Sequence, residues 1–199
     1  MSADFASTNL TNHFLIAMPG LRDEVFSRSV VYVCEHTERG ALGLVINKTC
    51  GMDLRRLLAK VDLPLRRDDL SNAPVFQGGP VQTERGFVLH ENISQDANKP
   101  TETVYASSLS IPGGLEMTTS KDVLEALASG AGPRKVLVTL GYAAWGEGQL
   151  ESELSDNSWL TVAASNSIIF DTPVAQRYDQ ALLLLGGESW MLSPDVGHA

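Results

Sequence analysis

A glycine-rich connector between two short apolar runs is the feature that most constrains this chain. Residues 74–91 read PVFQGGPVQTERGFVLHE, and the apolar runs are residues 75–76 and 87–89. Between them, Gly78 and Gly79 permit positive φ without a Cβ clash, while Pro80 lacks a backbone donor and restricts φ. The connector therefore predicts a sharp excursion at which the chain leaves its sheet.

Two interpretations of this connector are open from the sequence. In the first, the N–H groups of Gly78 and Gly79 form a concavity that holds an anion, with Arg85 nearby. In the second, Gly-Gly-Pro is a tight strand connection whose amides face water, because this tripeptide is common turn chemistry.

Length and composition indicate one globular domain. The chain has 199 residues, of which 43% are hydrophobic and 20% are charged, as in ordinary soluble domains. We expect residues 1–9 to form a mobile tail and residues 10–199 to form the domain. The sequence has no apolar run of the roughly 18 residues that span a bilayer and no secretory pattern at its start, so we predict a cytoplasmic location.

Charge is distributed unevenly along the chain. The formal net charge is -9, and residues 147–199 carry eight acidic side chains against Arg177 alone. The only locally basic segment, residues 55–67, is interspersed with aspartates. Because an acidic surface repels phosphate backbones, the sequence gives little support to direct nucleic-acid binding.

Hydrophobic periodicity predicts hairpins together with single helices. Residues 13–18, 29–37 and 41–49 are typical of strands, and the last two runs form a hairpin. Further strands are predicted over residues 103–110, 135–142 and 157–163, and helices over residues 53–61, 120–130, 147–154 and 171–185. Because hairpins outnumber strand–helix–strand units, the pattern favours an α+β fold over a doubly wound sheet.

Strand alternation places four residues of one run on a shared face, namely Val30, Tyr32, Cys34 and His36. This predicts Cys34 as a small core residue. A zinc site would also need two further ligands, which His13 and His90 supply only if their strands are neighbours. No Cys-x-x-Cys element supports that site, so the pattern favours a satisfied histidine beside a core thiol, and we predict no metal and no cofactor.

Familiar catalytic motifs are missing from the sequence. It contains no Gly-x-Ser-x-Gly elbow, no phosphate loop, no His-Glu-x-x-His and no Gly-x-Gly-x-x-Gly. Polar groups near the connector are a better guide to a site than titrating ones. If their strands align, these groups line one groove above the glycine amides: Asn47, Gln77, Gly78, Gly79, Arg85, His90 and Gln149.

Several long blocks of the sequence resemble one family. The blocks are HFLIAMPGL, VVYVCEHTERGALGLVINKT, VFQGGPVQTERGFVLH, MTTSKDVLEALASGAGP, LGYAAWGEGQLESELSDNSWL and the closing GHA. Together they resemble the AlgH/YqgE family of bacterial proteins, an uncharacterised (UPF) family, from His13 to the C-terminus. Cys50 and Ala144 depart from the family pattern, where proline and glycine are commoner, which affects local loop geometry only.

The resemblance implies more about shape than about activity. It implies a single compact domain with a branched, partly barrel-like mixed β-sheet surrounded by helices. The family carries a transcriptional-regulator label, and its members often lie beside a gene for a resolvase-like nuclease of the RNase H fold, which makes that nuclease a possible partner. The resemblance supplies no catalytic residue, and it leaves open the role of the matching motif positions, which are Asn47, Gln77, Gly78, Gly79, Arg85, Gly86 and His90.

Three functions compete on this basis. We favour a cytoplasmic, non-enzymatic regulatory or binding protein that uses a protein partner or a small anionic ligand at the Gly-Gly-Pro groove. The alternative is a hydrolase-type enzyme whose site is assembled from His36, His90, Arg85 and a carboxylate. A second alternative is a DNA-binding transcriptional regulator, as the family label suggests.

Overall fold

The computed structural model describes residues 8–92 and 104–186. Its strands are β1 (His13–Ala17), β2 (Val30–Thr37), β3 (Gly40–Val45), β4 (Thr49–Asp53), β5 (Pro74–Gln77), β6 (Val81–Glu91), β7 (Ser108–Ile111), β8 (Leu115–Thr118), β9 (Val136–Gly146) and β10 (Trp159–Ala163). Its helices are α1 (Leu54–Ala59), α2 (Lys121–Ala128), α3 (Gln149–Ser155), α4 (Asn166–Phe170) and α5 (Arg177–Leu183), with 3₁₀ turns at Asp68–Leu70 and Val174–Gln176. Most of the predicted tail, residues 1–7, lies outside the described residues.

The strands form one branched, mixed sheet that curls into a half-barrel. The main path runs β10-β1-β2-β3-β9-β6-β8-β7, while β5 pairs in parallel with β9 and antiparallel with β4. Strand β9 is the branch point, because its first half pairs with both β5 and β6 and its last residues pair with β3. The α+β fold and the branched, mixed sheet that the sequence and its resemblance implied are confirmed.

Apolar side chains cover both faces of the sheet. On β2, Val30 and Tyr32 join a core closed by α4 and α5, whereas Val31 and Val33 join a second core that includes Leu150 of α3. A third cluster packs α1 and α2 against β6 and β9. This two-sided burial explains why the runs of β1 and β2 are almost continuously apolar.

A β-bulge on β2 changes which residues share a face. Val33 is opposite Gly43 and Glu35 is opposite Leu42, so Cys34 is the extra residue of the bulge. Cys34 is buried in the first core, whereas the ring of His36 contacts Leu10 and α3 on the other side of the sheet. The prediction of Cys34 as a core residue is confirmed, but the prediction that Cys34 and His36 share a face is wrong.

Two boundaries differ from the predicted ones because of local chemistry. The helix predicted over residues 171–185 is a 3₁₀ turn, Val174–Gln176, followed by α5, because Pro173 supplies no N–H and sits at φ -53° and ψ 139°. The strand predicted over residues 41–49 ends at Val45, and Cys50 lies in the next strand, β4, where it is exposed. Of the helices in the described ranges, none has the length and apolar character that crossing a membrane requires.

Candidate functional site

The connector at Gly78 and Gly79 carries the chain across β9. Residues 138–140 of β9 pair with β5 on one edge and with β6 on the other, so the chain between β5 and β6 must pass over β9. At the crossing, the Gly78 N–H donates to the Leu140 carbonyl at 2.8 Å, and the Gly78 carbonyl accepts from the Val45 N–H at 2.8 Å. The prediction that the Gly78 amide faces a pocket is therefore wrong.

The glycines are needed for close packing of two backbones. A Cβ built on Gly78 would lie 2.3 Å from the Gly141 carbonyl oxygen, and one built on Gly79 would lie 2.2 Å from the Tyr142 carbonyl carbon and oxygen. Both glycines are buried. Thus the special backbone that the sequence signals serves the crossing rather than an exposed concavity of amides.

Directly after the crossing, β6 carries an exposed polar bulge, which we define as residues Gln82–Arg85. Val81 is opposite Tyr142 and Gly86 is opposite Leu140, so β6 advances five residues where β9 advances two. The extra residues of β6 therefore protrude from the ladder. All four side chains are exposed, and they border an open concavity of about 630 Å³. Gln82 adopts φ 46°, a conformation that costs a non-glycine residue about 1 kcal/mol or more. The strain is held where four polar side chains face solvent.

Arg85 is the cation of this polar bulge. Its Nη1 lies 3.4 Å from Gln82 Oε1, and its guanidinium lies 5.7 Å from the centre of the Phe87 ring. Gln77, at the end of β5, is also exposed, and its N–H donates to the Lys48 carbonyl at 2.8 Å. The side chains of Gln77 and Arg85 are therefore accessible on either side of the crossing.

Three of the other predicted groove residues, Asn47, Gln149 and His90, have hydrogen-bond partners within the protein. The Asn47 side chain accepts from the Val30 N–H and donates to the Arg28 carbonyl, both at 2.9 Å. Gln149 accepts from the Gly146 N–H and donates to Glu153. His90 pairs with Val136, four residues along β9 from Leu140, which corresponds to about 13 Å of strand. Intramolecular hydrogen bonds therefore engage the side chains of Asn47 and Gln149, and the strand register separates His90 from the crossing.

His90 is fully buried in a chain of hydrogen bonds. Its Nδ1 donates to the Glu91 carbonyl at 2.8 Å, so its Nε2 accepts from the Thr118 hydroxyl at 2.8 Å, which in turn accepts from Ser108 at 2.7 Å. Burial lowers the pKa of His90, which keeps the ring neutral. With both nitrogens occupied and no exposed surface, His90 has no access to a substrate.

His36 is held in one tautomer by two partners. The Leu10 N–H donates to Nδ1 at 3.0 Å, so the proton lies on Nε2, which donates to Glu151 Oε1 at 2.8 Å. The hydrogen bond from His36 is the largest cause of the lowered pKa of Glu151. A cleft of about 800 Å³ adjoins this pair and is bordered by Leu154 and Asn157.

The three residues of the predicted hydrolase site do not converge. His36 on β2 is opposite Ala41 on β3, and Ala41 is opposite Trp145 near the end of β9. His90 on β6 is opposite Val136 at the start of β9. Nine residues of β9 separate these positions, about 30 Å along the strand. Among residues 8–92 and 104–186, no group of three or more metal-ligating side chains lies close enough to hold an ion.

Sequence reasoning missed the role of Glu153. Its Oε2 accepts from the indole N–H of Trp145 at 2.8 Å and from that of Trp159 at 2.7 Å. Both tryptophans are buried in the second core. Their position on either side of an acidic helix was the available signal, since buried indole N–H groups require acceptors.

The fold and these contacts define a class of single-domain α+β proteins in which a glycine pair crosses the central strand of a branched sheet. A family model described as AlgH-like (DUF179) matches residues 14–190. This chain belongs to the AlgH-like, UPF0301 family.

Relatives and solved structures agree with that membership. The UPF0301 protein of Albidiferax ferrireducens is 79% identical and that of Variovorax paradoxus is 71% identical, each over the whole of both chains. The solution structure of the AlgH protein from Pseudomonas aeruginosa is 45% identical, with a TM-score of 0.75 over 97% of each chain. A Corynebacterium diphtheriae protein at 18% identity shares the fold, with a TM-score of 0.67 over 90% of this chain and 92% of that one. The names of these proteins state no substrate or reaction.

Proposed function

We propose that this chain is a non-enzymatic, cytoplasmic regulatory protein that binds a partner protein through the polar bulge, Gln82–Arg85. The observation that supports the proposal is the exposure of all four side chains on a protrusion that includes a strained residue, Gln82. Bulges that interrupt a ladder are common beside functional sites, and strained residues concentrate there.

A protein partner fits this surface better than a small anion does. Arg85 is exposed, and within the described residues its side chain makes one long hydrogen bond, to Gln82, besides its contact with the Phe87 ring. The neighbouring Gly78 N–H is already bonded to Leu140. A lone, hydrated guanidinium holds a small anion weakly, whereas a partner that covers the bulge removes water from it and strengthens each contact.

The resolvase-like nuclease of the RNase H fold is the first partner to test. Its support is the gene neighbourhood that the family resemblance implies. A nuclease that binds nucleic acid presents basic surface, and this chain has a net charge of -9. Complementary net charge favours rapid association at low salt, whereas the local contacts of the polar bulge set how slowly the complex dissociates.

The two alternative functions have less support. A hydrolase built on His36, His90 and Arg85 would need side chains that the strand register holds far apart. A DNA-binding regulator would need basic surface, whereas residues 147–186 carry Arg177 as their only basic side chain, and it is buried.

A binding measurement with matched charge reversals tests the proposal. The purified nuclease is titrated onto immobilised chain and onto Arg85→Glu and Arg55→Glu variants. Arg55 is an exposed arginine of α1 and gives the same change in charge. We expect Arg85→Glu to weaken binding by about tenfold or more, since central interface arginines often contribute 2 kcal/mol, and Arg55→Glu to have little effect. Equal loss in both variants, or no binding by the wild type at low salt, would reject the proposal.

A further inference from the structure

Arg177 is a buried cation that has no carboxylate partner among residues 8–92 and 104–186. Its residue exposure is 6%. Its Nε donates to the Thr172 carbonyl at 2.9 Å and its Nη1 to the Ile46 carbonyl at 2.6 Å, and the guanidinium carbon lies 5.0 Å from the centre of the Phe76 ring. Among the residues that the structure describes, no carboxylate oxygen lies within 4.0 Å of this guanidinium.

This arrangement leaves most of the hydrogen-bonding capacity of Arg177 unused. A guanidinium has five N–H donors, and the described residues accept two of them. The only buried side-chain nitrogen or oxygen without a partner in the described ranges is Glu116 Oε2, so Arg177 Nη2 is not sealed from solvent. Burial lowers the pKa of Arg177 to about 10, which leaves it charged at neutral pH. A buried charge is ordinarily compensated, because its desolvation is costly.

Arg177 is one of the residues that line a cavity of about 310 Å³ between β5, the start of β9 and α4. Apolar wall is supplied by Phe76, Ile169 and Phe170. Arg134, which is exposed, lines the same cavity. The volume is at the small end of the range of ligand sites, and the lining is more polar than apolar, with the apolar part at Phe76, Ile169 and Phe170.

The carboxylates that line the cavity are already matched by other cations. Asp69 accepts two hydrogen bonds from Arg67, at 3.1 and 2.7 Å, and Asp171 lies 2.9 Å from Lys135 Nζ. The hydrogen bond from Arg67 is the largest cause of the lowered pKa of Asp69. Neither carboxylate therefore compensates Arg177.

Arg134 adds a second uncompensated charge. Within residues 8–92 and 104–186, its side chain makes no hydrogen bond or ion pair. Since Arg67, which does not line the cavity, matches Asp69, and Lys135 matches Asp171, the two unmatched charges at the cavity are both positive, in a chain whose net charge is -9. Two guanidinium groups beside an apolar wall form the chemistry that recognises a carboxylate or phosphate group with an apolar body.

We propose that the cavity bordered by Arg177, Arg134 and Phe76 binds a small organic anion. The anionic group contacts the two guanidinium groups, and the apolar body lies against Phe76 and Phe170. The anion supplies the negative charge that Arg177 does not receive from the residues that the structure describes. This site is independent of partner binding at the polar bulge, which involves none of these residues.

Calorimetry with defined anions tests this site on the full chain. The probes are phenyl phosphate and benzoate, which carry an apolar ring, and inorganic phosphate, which does not. We expect one saturable site with tighter binding of the ring-bearing probes. Arg134→Gln should weaken binding about tenfold or more, because a hydrogen bond to a charged group contributes at least one such factor, while Arg55→Gln should bind as the wild type does.

Several outcomes would overturn the proposal. One is the absence of saturable binding of every probe up to about 10 mM, because a weaker affinity is too low to be specific. Another is an equal loss of probe binding in Arg134→Gln and Arg55→Gln. If sodium chloride raised the Tm of the chain as much as the probes do at the same ionic strength, the effect of the probes would be ionic screening only. Arg177→Met should abolish binding, and if that variant does not fold, Arg134→Gln alone decides. The Arg85→Glu variant should bind the probes normally even if it fails to bind the nuclease.

Discussion

Replacing Gly78 with alanine should destabilise the protein severely. The added Cβ would lie 2.3 Å from the Gly141 carbonyl oxygen, about 1 Å short of the 3.4 Å at which ordinary contact begins. The opposing atom is main chain and cannot move aside as a flexible side chain does. Either the connector or β9 must therefore shift at the branch point of the sheet.

The expected loss follows from the contacts at this crossing. Overpacking of a core costs about 1–3 kcal/mol. A shift of about 1 Å also weakens the Gly78 hydrogen bonds to Leu140 and Val45, each of which contributes about 1 kcal/mol. The sum is roughly 3–5 kcal/mol. For a domain of this length, each kcal/mol lowers the Tm by about 2–4 °C, so we expect a fall of roughly 10 °C.

Urea and thermal unfolding followed by circular dichroism would measure this loss. Gly86→Ala is the matched control, because Gly86 lies on the same β6 and a Cβ there meets no atom within 4 Å. Gly86→Ala should change stability by less than about 1 kcal/mol, and in the stabilising direction if the unfolded chain loses freedom. A Gly78→Ala variant as stable as Gly86→Ala would refute the reasoning that the glycine serves the crossing.

Three further perturbations test other contacts. Glu153→Leu leaves two indole N–H groups without this acceptor and should lower the free energy of unfolding in urea by about 2–4 kcal/mol. Glu147 is exposed, so the control Glu147→Leu should lower it by less than about 0.5 kcal/mol. Similar losses in both variants would show that the indole hydrogen bonds contribute nothing. Because burial lowers the pKa of His90, the unfolded state binds more protons below about pH 6.5, so stability should fall as the pH drops from 7 to 5. His90→Gln should flatten that part of the profile, and an unchanged slope would contradict the assignment. Burial raises the pKa of Glu116, so the folded state keeps this proton to a higher pH than the unfolded state does, and stability should fall as the pH rises above about 4.3. The free energy of unfolding of Glu116→Gln should therefore exceed that of the wild type by more at pH 7 than at pH 4. An equal difference at both pH values would argue against a buried acid.

Local sequence pattern predicted most of the strands and helices but not the crossing. The apolar runs of residues 13–18 and 29–37 correspond to β1 and β2, because burial in a sheet determines which consecutive residues must be apolar. The pair at Gly78 and Gly79 was correctly identified as special. Its reason, contact with β9 some sixty residues later, depends on strand order. Strand order leaves no local signal.

The candidate site shows the same limit. The hydrogen bond between His36 and Glu151 joins residues 115 positions apart, and the contact of Arg177 with Ile46 spans 131. The bulge at Cys34 moved His36 to the other side of the sheet, which no two-residue period can indicate. Gln77 and Arg85 are exposed, as polar residues beside a turn commonly are. Their role in binding stays a prediction.

The branch at β9 has a consequence for synthesis on the ribosome. Strands β3, β5 and β6 all leave the ribosome before residues 136–146, which they each need as a neighbour. Until that segment emerges, three nascent strands have unpaired edges, and such edges attract other chains. We expect a fragment ending at residue 135 to aggregate, and the arrival of eleven further residues to convert the growing polypeptide into a foldable one.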